Sequence, residues 1–338
     1  MELNIHQRYL IEEFAEEYQE RRIERRELLK RVLLVTGSIT TTATALLALG
    51  CGSDTEPAGA TGTATAPVTG GTPTATTAAG GGTPTATTAA GGATPSATPA
   101  AGTGPQPPAS DPSVTGADVR FPGPASDLLG YLARPTAEGT YPAVLVIHEN
   151  RGLTEHFKDV SRRYAKEGFI ALAIDLVSRD GGSKAETNQN TGFLGRSAPA
   201  DLTADLRAGL AYLAAQPFVR AGALGVTGFC FGGGYTWETA IASPEVKAAV
   251  PYYGTAPLDR IGTIRAAVLA IYGESDTRIT SQAAEVERIL IDAGATVEVK
   301  IYPGAGHAFF NDTGANYNAA AASDAWPRTL AWFRQYLV

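Results

Sequence analysis

Residues 113–338 predict an α/β fold: a mostly parallel central sheet flanked by helices on both faces, preceded by a disordered tether. Two observations carry this expectation. Short, continuously apolar runs recur through the segment, and amphipathic stretches separate them. The run 143–147 is apolar throughout, the pattern of a strand buried on both faces. Runs at 169–174, 222–226, 246–251, 266–272 and 297–302 continue the series, and stretches 155–167, 201–215, 281–293 and 319–337 read as helices. Strand–helix alternation of this kind implies parallel strands joined by crossover helices. In such sheets sites form at the carboxyl ends of the strands.

The rest of the 338-residue chain divides by composition. Residues 1–31 are densely charged, 32–51 are apolar and end in Cys51, and 52–112 hold almost nothing but Thr, Ala, Gly and Pro. Within that last block GTPTATTAAG at 71–80 returns at 82–91. A segment without apolar periodicity cannot bury a core, so 52–112 is expected to be a disordered, semi-flexible linker. The net charge of −7 leaves no basic footprint, which argues against a nucleic-acid partner. Of the two cysteines only Cys230 lies in 113–338, so no disulfide can close there and its thiol stays available.

The amino-terminal segment reads as an address more than as structure. Arg25-Arg26-Glu27-Leu28-Leu29-Lys30 resembles the twin-arginine export signal of bacteria, and Leu47-Ala48-Leu49-Gly50-Cys51 resembles a lipoprotein cleavage box. These patterns imply lipid attachment at Cys51, export, and a membrane anchor holding the globular part outside the cytoplasmic membrane. Two alternatives stay open: an uncleaved membrane-spanning helix over 32–50, long enough for a ~30 Å hydrocarbon core, and an amphipathic helix without a targeting role.

Four reactive residues follow the predicted strands: Glu149, Cys230, Asp276 and His307. Cys230 is the centre of Gly228-Phe229-Cys230-Phe231-Gly232. A nucleophile on a tight strand-to-helix turn needs strained dihedrals and neighbours without bulk, hence Gly228 and Gly232. Gly233 and Gly234 would let the following helix approach the sheet. The positive end of that helix is expected to lower the thiol pKa, and the N–H of Phe231 would be an oxyanion donor. The order nucleophile, acid, histidine is the chain order of α/β-hydrolases. Asp276 is preferred over Glu274 as the acid. His148 is the rival to His307 as base, while His6 lies in the tail and His156 in a helical stretch.

Together, His148-Glu149-Asn150-Arg151-Gly152-Leu153, Gly228-Phe229-Cys230-Phe231-Gly232-Gly233, Gly273-Glu274-Ser275-Asp276 and Gly306-His307-Ala308-Phe309-Phe310 resemble the dienelactone hydrolase family of the α/β-hydrolase fold, over most of 117–337. The resemblance implies a catalytic triad of Cys230, His307 and Asp276, with Glu149 engaging the thiol and the N–H of Asn150 as second oxyanion donor. It implies carboxylic ester or lactone hydrolysis, carboxymethylenebutenolidase-like, through a thioester acyl-enzyme. One position departs from the pattern: Asn311 stands where the family carries a substrate-binding arginine. Arg151, Arg179 and Asn311 are the candidate substrate-binding side chains, and Arg196 is a further arginine of that region. No cofactor is implied, and no cluster of residues has metal-ligand spacing. Competing readings are a thioesterase or acyl transferase, a surface-displayed binding protein with little turnover, and a redox sensor, which would lack a resolving cysteine in the domain.

Overall fold

The structure is a computed structural model that describes residues 3–19, 21–49 and 111–338. Cys51, its proposed cleavage box from Gly50 onward and the repeats at 71–91 lie outside the described residues.

Six strands run parallel: β3 (Tyr141–Ile147), β4 (Ile170–Asp175), β5 (Val219–Phe229), β6 (Val246–Tyr252), β7 (Ala267–Gly273) and β8 (Val297–Tyr302). They match the apolar runs read from the sequence. Their side chains are buried on both faces in β3, β4, β6 and β7, which is why these segments carry no polar alternation. A hairpin of β1 (Val114–Pro122) and β2 (Asp127–Pro135) adds two antiparallel strands at one edge. That pair escapes the apolar-run criterion because β1, an edge strand, exposes most of its side chains. The complete order is β1-β2-β4-β3-β5-β6-β7-β8. The chain therefore moves from β3 to β4 on one side and returns to place β5 on the other, creating a crevice at the carboxyl ends of β3 and β5.

Helices cover the sheet: α4 (Glu155–Lys166), α6 (Pro199–Ala214), α9 (Ala283–Asp292) and α10 (Ala319–Tyr336) fall in the stretches read as helical, α7 (Phe231–Ala242) follows the elbow, and α5 (Thr187–Arg196) and α8 (Thr277–Thr280) lie outside those stretches. Tyr164 of α4 packs on Trp326 of α10 at 4.6 Å between ring centres. The side chains of Leu145, Leu172 and Ile174 meet α6 at Gly209.

The amino-terminal segment, read from the sequence as an address more than as structure, is folded. It forms α1 (Ile5–Gln19), α2 (Arg25–Thr36) and α3 (Ile39–Ala48), and its described residues belong to the same compact unit as residues 111–338. Tyr9, Leu10, Ile11, Phe14, Leu28, Val32 and Val35 are all buried, and each such side chain is worth about 1.5–3 kcal/mol of burial. The helix imagined over 32–50 is instead interrupted. Gly37 takes the left-handed conformation (φ 66°) and closes α2, Ser38 caps α3 through the Thr41 N–H, and the two axes bend by 119°. Among the described residues no single helix is long and apolar enough to cross a membrane.

Candidate active site

Cys230 sits where β5 turns into α7, with φ 58° and ψ −118°. Such a conformation is costly for a non-glycine residue and is held only by its surroundings. The surroundings are glycine. A Cβ on Gly228 would fall 2.2 Å from the Gly232 carbonyl oxygen, and one on Gly232 would fall 2.4 Å from the Ile147 carbonyl oxygen. Gly233 is equally constrained, 2.2 Å from the Tyr252 oxygen, whereas at Gly234 a Cβ would make only ordinary contact at 3.6 Å. The close approach of helix to sheet therefore rests on Gly233 and not on Gly234.

His307 follows β8 and offers Nδ1 to Asp276 Oδ2 at 2.6 Å. Asp276 follows β7 and is buried. Glu274, the competing acid, turns outward and accepts the Gly304 N–H at 2.9 Å. His148 is removed from contention as base by its own bonds: Nδ1 lies 2.6 Å from the Glu149 carbonyl and Nε2 accepts the Leu176 N–H at 3.1 Å. Both ring nitrogens are thus occupied by backbone, and burial lowers its pKa. His156 places Nδ1 3.2 Å from Asp312 Oδ1, an ion pair when the ring is protonated. His6 is stacked on Tyr235 with centres 4.1 Å apart, and burial, helped by the Arg260 charge, lowers its pKa to about 4.

The sulfur and imidazole act on each other: His307 pulls the thiol pKa down and Cys230 pushes that of the imidazole up. The Tyr9 hydroxyl of α1 touches both, 3.0 Å from Cys230 Sγ and 3.0 Å from His307 Nε2. Glu13, one turn further along α1, places its carboxylate oxygens 3.6 and 3.8 Å from the sulfur and accepts Asn150 Nδ2 at 3.1 Å. Glu149, expected at the thiol, points elsewhere. Its Oε2 accepts Asn311 Nδ2 at 3.0 Å, and its Oε1 is buried without a hydrogen bond. Asn311 is therefore engaged by a carboxylate, which a longer arginine at that position would also have attracted.

This arrangement reverses the expected thiol chemistry. Cys230 is only 2 % exposed, and its pKa is raised to about 11. Burial is the largest cause and the Glu13 charge the next, together outweighing the pull of His307. The helix terminus alone does not prevail, so in this closed form the sulfur holds its proton at neutral pH. His307 is held well above its usual value: burial opposes its charge, but Asp276 at 2.6 Å and the Cys230 sulfur together more than compensate. Phe231 opens α7, where a backbone N–H has no carbonyl one turn back to bind, and Asn150 follows Glu149 on the loop after β3.

Of the other proposed substrate contacts, Arg179 does not serve. It is paired with Asp205 through two bonds of 2.8 Å. Arg196 donates to the Leu34 carbonyl of α2. Arg151 is exposed, its carbonyl accepting Asn190 Nδ2 at 2.9 Å. The arginine that does reach this region is Arg278 in α8, two residues beyond Asp276. Its guanidinium carbon lies 4.7 Å from the Tyr9 ring centre, and its Nε and Nη2 are buried without hydrogen bonds. Tyr9, Glu13 and Arg278 were not read from the sequence. The nearest signal was the spacing of His6, Leu10 and Phe14, four residues apart on one face of a helix.

The same convergence gathers potential metal ligands that sequence spacing did not reveal. Ligand atoms of Glu13, Cys230 and His307 lie within 4.8 Å of one another, a carboxylate, thiol and imidazole set of the kind that suits zinc. It exists only while α1 is docked.

Comparison with known proteins agrees with the fold. The profile of the dienelactone hydrolase family matches residues 128–337. A protein named "Putative carboxymethylenebutenolidase" from Salmonella typhimurium is 36% identical over 242 residues, covering 67% of this chain and 89% of that protein. A "Probable 2-oxo-3-(5-oxofuran-2-ylidene)propanoate lactonase" from Bradyrhizobium is 33% identical over 223 residues, 62% of this chain and 90% of that protein. Among solved structures, a "Putative Dienelactone Hydrolase" from Klebsiella pneumoniae superposes with a TM-score of 0.61 at 35% identity, covering 66% of this chain and 99% of that one.

Proposed function

The chain belongs to the dienelactone hydrolase family, and on that premise we propose that it hydrolyses a carboxylic ester or lactone through a thioester on Cys230. The observation that carries this reading is the pairing of a strained elbow cysteine (φ 58°) with an imidazole already oriented by a carboxylate at 2.6 Å. Relatives named as a carboxymethylenebutenolidase and a lactonase support the substrate class.

With the pocket open to substrate, His307 removes the thiol proton and the sulfur attacks the carbonyl carbon. The N–H groups of Phe231 and Asn150 receive the oxyanion. His307, kept in one orientation by Asp276, then returns the proton to the leaving enolate or alkoxide. It next activates water, which cleaves the thioester and restores the thiol. A thiolate is also a good leaving group, so substrates that expel a stabilised anion, such as enol lactones, suit it better than simple alkyl esters. Glu149 lies in the same pocket, available to the thiol if Asn311 releases it.

Export and lipid attachment at Cys51 remain part of this proposal, supported by the patterns at Arg25–Lys30 and Leu47–Cys51 alone. The test of the catalytic reading is a panel of enol lactones, activated esters and thioesters assayed with the full chain and with Cys230→Ala. Hydrolysis that disappears in the variant is expected. Equal rates for the two proteins would overturn the assignment.

A further inference from the structure

We propose that α1 is an intramolecular plug: Tyr9 and Glu13 occupy the reacting positions of the pocket, and the hydrolase turns over only while α1 is withdrawn. The consequence rests on the catalytic reading above; the occlusion itself does not. With the Tyr9 oxygen 3.0 Å from both the sulfur and the imidazole, no substrate carbonyl can reach the sulfur. Glu13 fills the adjoining volume and ties itself to Asn150, the residue that supplies the second oxyanion donor. Plug and substrate therefore compete for one place.

The docking is built along the whole segment. At the front, His6 stacks on Tyr235 of α7, and Arg278 lies over the Tyr9 ring while pairing with Glu16 at 3.5 Å. At the back, α2 lies against α5 at two glycines. A Cβ on Gly195 would come 2.8 Å from Val35 Cγ1, and one on Gly192 would come 3.1 Å from Leu34 Cβ. Asn188 and Arg196, also on α5, donate to Glu27 and to the Leu34 carbonyl. A helix resting passively on an apolar surface would need neither the polar placement at the sulfur nor the glycine seat behind it. Cleavage before Cys51, which the lipoprotein-like box would direct, would sever α1, α2 and α3 together from the domain and turn a latent precursor into an open enzyme.

The test uses the full chain and two readouts. Alkylation of Cys230 by iodoacetamide, followed on its own peptide by mass spectrometry, is compared between the natural sequence and Gly195→Leu, which disturbs the α2 seat far from the triad. Alkylation and ester turnover that rise about tenfold or more in the variant support the plug, because the rate then follows the open fraction. Natural protein that alkylates as fast as the variant overturns it. A second measurement needs no variant: hydrogen exchange of residues 5–19 before and after Cys230 is carboxymethylated. A group on the sulfur excludes Tyr9, so exchange in α1 should accelerate while β3 and β5 stay protected; unchanged protection of α1 overturns the proposal. Faster alkylation of Gly195→Leu with no turnover on any ester supports the occlusion and overturns the catalytic reading instead.

Discussion

Glu149, Cys230, Asp276 and His307 reach the pocket from loops after four parallel strands, whereas Tyr9 and Glu13 reach it from one helix that precedes the domain. The strand loops are fixed by a sheet buried on both faces, and their residues come from positions more than 150 residues apart (149 to 307). The helix brings two residues four positions apart, and it holds them by surface docking. The difference teaches how to divide the roles. Groups placed by a rigid core can be pre-organised for chemistry. Groups placed by a docked segment join and leave together, which suits control better than catalysis. The two regions also push the thiol in opposite directions, the α7 terminus and His307 favouring thiolate, and the cover of α1 with the Glu13 charge favouring thiol.

The largest expected effect belongs to the strand loops. Replacing Asp276 with Asn leaves the ring of His307 without its anionic partner and should lower kcat by about 10³–10⁴-fold, measured on whichever enol lactone or activated ester the natural protein cleaves. Loss of less than tenfold would detach Asp276 from the mechanism. Next comes the helix. Tyr9→Ala removes the hydroxyl that touches both sulfur and imidazole and should raise both the alkylation rate of Cys230 and turnover. If Tyr9 instead belonged to the catalytic machinery, turnover would fall while alkylation rose, and the division of roles drawn above would fail.

A smaller effect is a shift in titration. Cys230 should titrate near about 11 in the closed chain, and Glu13→Gln should bring it below that value by removing the second cause of its elevation. The sign follows from linkage. A thiol pKa raised by docking means that docking is favoured while the sulfur keeps its proton. That support is lost as pH rises from the open-state value toward about 11. Thiolate absorbance against pH checks this, and identical midpoints in the two proteins would contradict it. The smallest effect is structural. Gly228→Ala places a methyl 2.2 Å from the Gly232 oxygen and should cost about 1–3 kcal/mol, read as a fall in Tm of about 2–4 °C for each kcal/mol. A similar substitution at Gly234, with 3.6 Å of room, should be tolerated.

The sheet and its rim were legible because their signals are local. The buried strands β3, β4, β6 and β7 announce themselves as apolar runs, and the elbow needs glycines at fixed offsets. His307 bonds Asp276, while Glu274 accepts the Gly304 N–H. The α5 helix was not legible: TNQNTGFLGR carries two glycines and little periodicity, and those glycines are where α2 packs. Tyr9 and Glu13 were invisible for the same reason. Nothing in a short helix states which distant surface it will cover, and its arginine pair resembled an export signal strongly enough to hide a structural role. The raised thiol pKa was missed with them, since the expected depression considered only the α7 terminus and not what lies over the sulfur.

The most direct measurement is to quench the reaction with acid during turnover of a slow ester and to map the adduct by peptide mass. An acyl group on the peptide that contains Cys230, growing in before product and absent from Cys230→Ala, is the predicted result. Sustained hydrolysis with no acyl group on that peptide, at an undiminished rate in Cys230→Ala, would contradict it.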